Sequence, residues 1–200
     1  MPITINGSGT VTGISAGGLP DGVITTDDIA AGAITSAKFA AGAGGKILQV
    51  VQTVKTDTFS RTSTNSDYGE ITGLTASITP TSTSNKVLII ARVSASSGLA
   101  GNRFAIRLTA AGSVITGYQG AGAGSRISAA ASGELDGVNA VVELTATHLH
   151  SPSTTSSITY AVQGSAEGSQ TFWCNRSGND ADSGSVYRTC SSIILMEVAA

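Results

Sequence analysis

The hydrophobic pattern of residues 46–200 repeats every second position. In Arg103-Phe104-Ala105-Ile106-Arg107-Leu108 the apolar Phe104, Ile106 and Leu108 share one face, and Arg103 and Arg107 share the other. From Val138 to Ala146 the even positions Val138, Ala140, Val142, Leu144 and Ala146 are apolar, while Asn139, Glu143 and Thr145 face away. Ile158, Tyr160 and Val162 alternate with Thr159, Ala161 and Gln163. Val87-Leu88-Ile89-Ile90-Ala91 is apolar on both faces, which predicts a strand that is central or held between the core and another subunit. Turn-forming clusters separate these runs at Thr79-Pro80-Thr81-Ser82, Ser97-Gly98, Gly120 to Gly124, Ser151-Pro152-Ser153 and Asn175 to Gly184. No amphipathic helix of useful length interrupts them. The pattern predicts an all-β domain of about eight to ten short antiparallel strands, a β-sandwich of jelly-roll type.

The front of the chain follows another rule. Residues 1–18, MPITINGSGTVTGISAGG, alternate small polar and β-branched residues and read as an N-terminal attachment segment, able to add a strand to something but not to fold alone. Residues 19–45 contain a decad written twice, GVITTDDIAA and GAITSAKFAA, followed by a flexible Gly-rich stretch. Its large apolar residues, Ile24, Ile29, Ile34 and Phe39, recur every five positions. Five fits neither the period of a helix nor that of a strand, so no single regular element gathers them on one stripe. Two such units bury very little, because stacked repeats need about three members for stability. Three chains wound about one axis supply the missing burial. The reading is an intertwined trimeric stalk, against the alternative of an unstructured linker.

Composition narrows the function classes. Charged residues are 12% of the chain and aromatics 4%, but apolar residues reach 40%, too many for a solvated tail. Ser and Thr make up roughly a quarter, which with Val and Ile suits pleated sheet better than helix. The net charge is −2 with no cluster of Lys and Arg, so a nucleic-acid partner is not expected. No signal peptide or bilayer-spanning run is visible, which predicts assembly in a cytoplasm without membrane insertion. A reducing compartment disfavours a disulfide between Cys174 and Cys190, and two separate small apolar thiols are the expectation.

Most local chemistry fails on inspection. Gly13-Ile14-Ser15-Ala16-Gly17 matches a nucleophile elbow but lacks the strand-to-helix context that exposes such a serine. Gly44-Gly45-Lys46-Ile47 resembles a phosphate loop with Ile47 where a magnesium-binding hydroxyl belongs. Asp180-Ala181-Asp182-Ser183-Gly184 is half of a calcium loop and reads as a polar hairpin tip. His148-Leu149-His150 places two imidazoles on one face of a strand. On a threefold axis they would form a metal site; at the end of a sandwich they are ordinary strand-end histidines. No cofactor is expected and no catalytic residue is assigned.

The segment LPDGVITTDDIAAGAITSAKFA resembles the repeats near the start of tailed-bacteriophage tail fibre proteins. GKILQVVQTVKTDTF, TASITPTSTSNKVLIIARVS, SPSTTSSITYAVQ and SSIILMEVAA resemble, in the same order, blocks of the tip domains of such fibres. The likeness covers almost the whole chain and is weakest at about 98–136 and 175–187. It departs at Asp28, where the family usually carries Lys, a residue kept at Lys38. The resemblance implies a homotrimeric structural protein of the virion tail. Its N-terminus would dock on other tail proteins, and its β-sandwich (residues 46–200) would meet a host glycan or envelope protein. Tyr118, Trp173 and Tyr187 are the candidate receptor contacts, with Trp173 a core residue in the alternative. A tail appendage or decoration protein that joins virion components without binding a receptor is the second expectation. A polysaccharide hydrolase is the third and least supported.

Overall fold

The computed structural model describes residues 45–200 continuously and, before them, Ile24, Thr25, Asp27, Ile29, Ala30, Ala31, Ala33, Ile34 and Lys38. The expected attachment segment 1–18, the Gly13 to Gly17 motif and Phe39 lie outside the described residues. The chain divides into two units, residues 1–44 and 45–200. In the first, the Ala33 N–H donates to the Ala30 carbonyl at 2.9 Å, closing a turn between the two decads. Ile24, Ile29 and Ile34 are 55%, 39% and 50% exposed, so the single chain leaves a large part of each facing water.

The second unit is all-β. Its strands are β1 (Ile47–Lys55), β2 (Phe59–Thr62), β3 (Gly69–Ile78), β4 (Lys86–Ser97), β5 (Arg103–Ala110), β6 (Ser113–Val114), β7 (Ala131–Glu134), β8 (Val142–His150), β9 (Ile158–Ala166), β10 (Thr171–Cys174) and β11 (Ser191–Val198). All pairings are antiparallel, and six of them are nested: β1 with β11, β2 with β10, β3 with β9, β4 with β8, and β5 with β6 and β7; β4 with β11, β4 with β10 and β5 with β9 join these into sheets. A chain doubled back on itself and then wrapped into two layers pairs this way, and the result is a jelly roll. One sheet runs β1-β11-β4-β8, with β10 and β2 replacing β11 and β1 toward the far end of β4. The other runs β3-β9-β5, with β7 and β6 side by side along its edge. Among the described residues no helix is long and apolar enough to cross a membrane.

The alternating faces meet between the sheets. Phe104, Ile106 and Leu108 are buried, as are Tyr160 and Val162 opposite them, and Val87, Ile89 and Ala91 line the inner face of β4. Phe172 reaches across from β10 to sit edge-on to Phe104, with ring centroids 6.4 Å apart. It packs directly over Gly164, where a Cβ would come within 2.6 Å of the ring. Burying a side chain of this size contributes about 1.5–3 kcal/mol.

The jog from β11 to β10 leaves backbone groups that no ladder satisfies. Asn175, fully buried at φ +65°, fills the gap. Its Nδ2 donates to the carbonyls of Lys55 and Asp57, both at 2.9 Å, and its Oδ1 accepts from Ser191 Oγ at 2.6 Å. Asparagine tolerates the left-handed region better than other residues with a Cβ, which suits it to this corner.

One expected strand is shorter than the alternation suggests. Val138 and Ala140 precede β8 rather than belong to it. The Ala140 N–H closes a turn onto the Gly137 carbonyl at 2.8 Å, and the Val138 carbonyl accepts from the Asn179 N–H at 3.0 Å. Their backbone groups are committed before a ladder can use them.

Candidate functional site

The outer face of the β3-β9-β5 sheet carries a cleft of about 330 Å³. Two loops build it. Residues 63–68 fold over the end of β9, where Ser165 Oγ donates to the Asn65 carbonyl at 2.6 Å and the Gly168 N–H donates to Asn65 Oδ1 at 2.8 Å. The β6–β7 loop closes from the other side, and the Tyr68 hydroxyl donates to the Ser128 carbonyl at 3.3 Å. Arg107 covers the Tyr68 ring, its guanidinium carbon 4.3 Å from the ring centre, while its Nε donates to Gln163 Oε1 at 2.7 Å. Burial pushes the Tyr68 hydroxyl up from its ordinary value, so it stays a neutral donor.

Arg103 stands at the rim between Glu134 at 3.1 Å and Glu167 at 3.5 Å. Ser125 and Ser132 add hydroxyls, and Ala105, Ala129 and the exposed Ile127 add an apolar strip. Forked donors, carboxylate acceptors and hydroxyls around a small apolar surface suit a ligand with many hydroxyls and an apolar face, such as a sugar. Both rim carboxylates are paired with the same arginine.

The residues singled out in the sequence do not gather at this cleft. His148 and His150 point inward at the end of β8, with their ring centroids 6.1 Å apart. His148 packs on Tyr118 at 5.0 Å, and His150 Nδ1 shares a 2.9 Å hydrogen bond with the fully buried Tyr160 hydroxyl. Burial lowers both imidazoles from their ordinary value, with His148 adding to the effect on His150, and raises Tyr160 to about 12. The pair thus lines the space between the sheets as strand-end histidines. Among the described residues no group of three or more His, Cys, Asp or Glu side chains is placed to hold a metal ion.

Tyr118 packs against the core, and its hydroxyl accepts from the Leu108 N–H. Trp173 lies half-buried on β10 under Arg176, whose guanidinium carbon is 4.6 Å from its ring centre. Tyr187 is 69% exposed in the loop before β11. Of the three candidate contacts, only Tyr187 therefore presents most of its surface outward.

Asp180, from the half calcium loop, is held by Arg188 at 2.7 Å and Arg176 at 3.3 Å. Lys46 Nζ donates to the Ala200 carbonyl at 3.0 Å, tying the start of the domain to its end. Cys174 and Cys190 are both free thiols. Burial pushes Cys174 up to about 11, which leaves it unreactive.

Two features escaped the sequence reading. Tyr68, Asn65 and Glu167 come together only through pairings of distant segments, and no local pattern marks them. Glu197 did leave a signal. It continues the inward face of Ile193 and Leu195 and is the only charge on it. It has no exposed surface. Its carboxylate accepts from Gln49 Nε2 at 2.6 Å, the Thr81 N–H at 2.6 Å, Thr81 Oγ1 at 2.8 Å and Asn85 Nδ2 at 2.7 Å. Burial pushes this carboxyl up, but the hydrogen bonds from Asn85, Gln49 and Thr81 together outweigh it and bring it down to about 2.

No protein-family model matches the chain, and a search of curated proteins finds no significant relative.

Proposed function

We propose that the protein is a non-enzymatic structural component of a bacteriophage tail fibre. In this reading it is a homotrimer that docks on the tail through its N-terminus and contacts the host surface through its β-sandwich. One observation carries it. Ile24, Ile29 and Ile34 stand exposed at five-residue spacing ahead of a jelly-roll domain, and burial between copies of the chain covers such residues without a core of their own. The motifs in residues 19–45 and in the four later blocks supply the phage identity. The cleft beside Arg103 and Tyr68 is the host contact in this reading, and a glycan is its ligand class. Part of its wall comes from the 98–136 segment, where the likeness to fibre tips is weakest, as expected where receptors differ. Three copies per fibre turn weak single contacts into useful avidity.

A second reading, a tail appendage or decoration protein, is favoured by the aromatic residues. Tyr118 and Trp173 are engaged within the domain, which leaves little aromatic surface for stacking on sugars. Two measurements separate the readings. Light scattering gives the solution mass, expected at three chains; a single-chain mass removes the fibre. Labelled protein is then incubated with susceptible host cells. Adsorption that weakens at least tenfold in Arg103→Ala supports the adhesin, and an assembled protein that never adsorbs supports the appendage.

A further inference from the structure

The outward face of the β1-β11-β4-β8 sheet is ordered in rows across the strands. Val50 pairs with Met196, Met196 with Leu88, and Leu88 with Leu149. The next row is Gln52, Ile194, Ile90 and Thr147, and Ile47 pairs with Val198 beyond the first. Ile47, Leu48, Val50, Val54 and Leu149 are each 45–56% exposed. A sheet with water on one side alternates apolar inside and polar outside. Here both sides of β4 are apolar along Val87 to Ala91.

The far end of the same strand behaves differently. There the chain's own loop 175–190 covers the sheet, and the outward residues are Ser94 and Ser96. Ser96 Oγ donates to the Arg176 carbonyl at 2.6 Å and Ser94 Oγ to the Cys190 carbonyl at 3.2 Å. The face is thus serine where its own loop covers it, and valine, leucine, isoleucine and methionine where residues 45–200 leave it open.

We propose that this open half of the sheet is the surface on which further copies of this chain dock, the three faces turned toward one axis. The occupant rests on the homotrimer reading above and on three features of the molecule. The patch is apolar in register across four adjacent strands, and a contiguous exposed apolar patch of this kind marks an interaction site. Its charges do not ask for a charged partner: Lys86 lies at one corner, and Arg92 at the other is neutralised by Glu143 at 2.6 Å. Finally, the decad repeat ends at residue 41 and β1, the edge strand of this face, begins at Ile47, so only five residues of chain join the two. Copies brought together by the repeat need no separate tether to bring their β1 strands together.

The test uses the full chain with Val50→Lys and Leu149→Lys together, two half-exposed positions on edge strands. Glu70→Lys on the opposite sheet is the control. Sedimentation equilibrium should show a trimer for the wild type and the control, and at least a tenfold rise in the concentration needed for assembly in the double variant. A double variant that assembles like wild type overturns the proposal but leaves the fibre reading standing, because the copies are then held by the repeat alone. A wild-type monomer overturns both. Should the double variant fail to fold, Met196 reports on the unaltered protein. In assembled protein its oxidation by dilute peroxide should be at least fivefold slower than that of free methionine and quicken on dilution to monomer. Oxidation at the same rate in both states overturns the proposal. Binding of the unassembled protein to lipid vesicles or to another tail protein through this face, with no self-association, also overturns it.

Discussion

Asn175, itself without exposed surface, holds two carbonyls with its amide nitrogen and a buried serine hydroxyl with its amide oxygen. Asn175→Ala leaves those groups without their partner and puts at φ +65° a residue that tolerates the left-handed region less well than asparagine. The expected loss is about 2–4 kcal/mol, read from the denaturant midpoint. Asn175→Gly restores only the backbone freedom and should recover less than about 1 kcal/mol of it. Glu197 is the second such residue. Its folded-state pKa lies below the unfolded value, so its contribution is complete above the ordinary 4.5 and is lost as pH falls through about 2. Glu197→Gln turns an amide N–H₂ toward a cage of donors, costs on the order of 2–3 kcal/mol at pH 7, and removes that part of the acid dependence. Acid titration of stability in both proteins checks it; parallel curves between pH 4.5 and 2 would falsify the assignment. Both residues are single polar positions beside apolar strands. The alternation shows Glu197 to be out of place but not what satisfies it, because Gln49, Thr81 and Asn85 approach from other elements.

At the scale of the element, the glycine in β9 decides how closely the sheets approach. A Cβ at Gly164 meets the Phe172 ring at 2.6–2.9 Å, and Phe172 is enclosed with no room to retreat. Gly164→Ala should therefore destabilise by about 1–3 kcal/mol. Gly69→Ala meets only the flexible Arg61 side chain and should cost less; thermal midpoints of the two variants compare them directly. The end of β8 carries the pH response above the carboxylate range. His148 and His150 are held below their ordinary 6.5, so the folded domain favours their neutral forms. Their contribution is complete above about 6.5 and is lost as pH falls below it. His148→Gln with His150→Gln should flatten the stability profile between pH 7 and 5, measured by thermal unfolding at each pH. Long alternating strands such as β5 and β9 were legible in the sequence because period two is a local property. The start of β8 was not, since Val138 and Ala140 keep the alternation while a turn and the 175–190 loop take their backbone. Nor was β2, four residues long, which exists as a strand because it finds β10 across more than a hundred residues.

For the whole molecule, the proposed association would tie stability to protein concentration. If copies cover one another's apolar faces, the thermal midpoint rises by several degrees over a hundredfold range of protein concentration, whereas a self-sufficient chain unfolds at one temperature throughout. Calorimetry at graded concentrations measures this. The sequence alone determined that the main domain is a β-sandwich, which positions share a face, and that β4 is apolar on both of its faces. These follow from side-chain spacing, which the local backbone geometry translates directly into faces. Only the tertiary structure decided the nested pairing of β1 with β11 through to β5 with β6 and β7. It also decided that Val87, Ile89 and Ala91 face inward while Leu88 and Ile90 face out, and that the histidine pair closes onto Tyr160. It formed the cleft of Tyr68, Arg103 and Glu167 from segments about a hundred residues apart. Those outcomes depend on which strand meets which and on what each loop covers. Such contacts between distant segments are settled by the burial they jointly achieve, and no local periodicity encodes them.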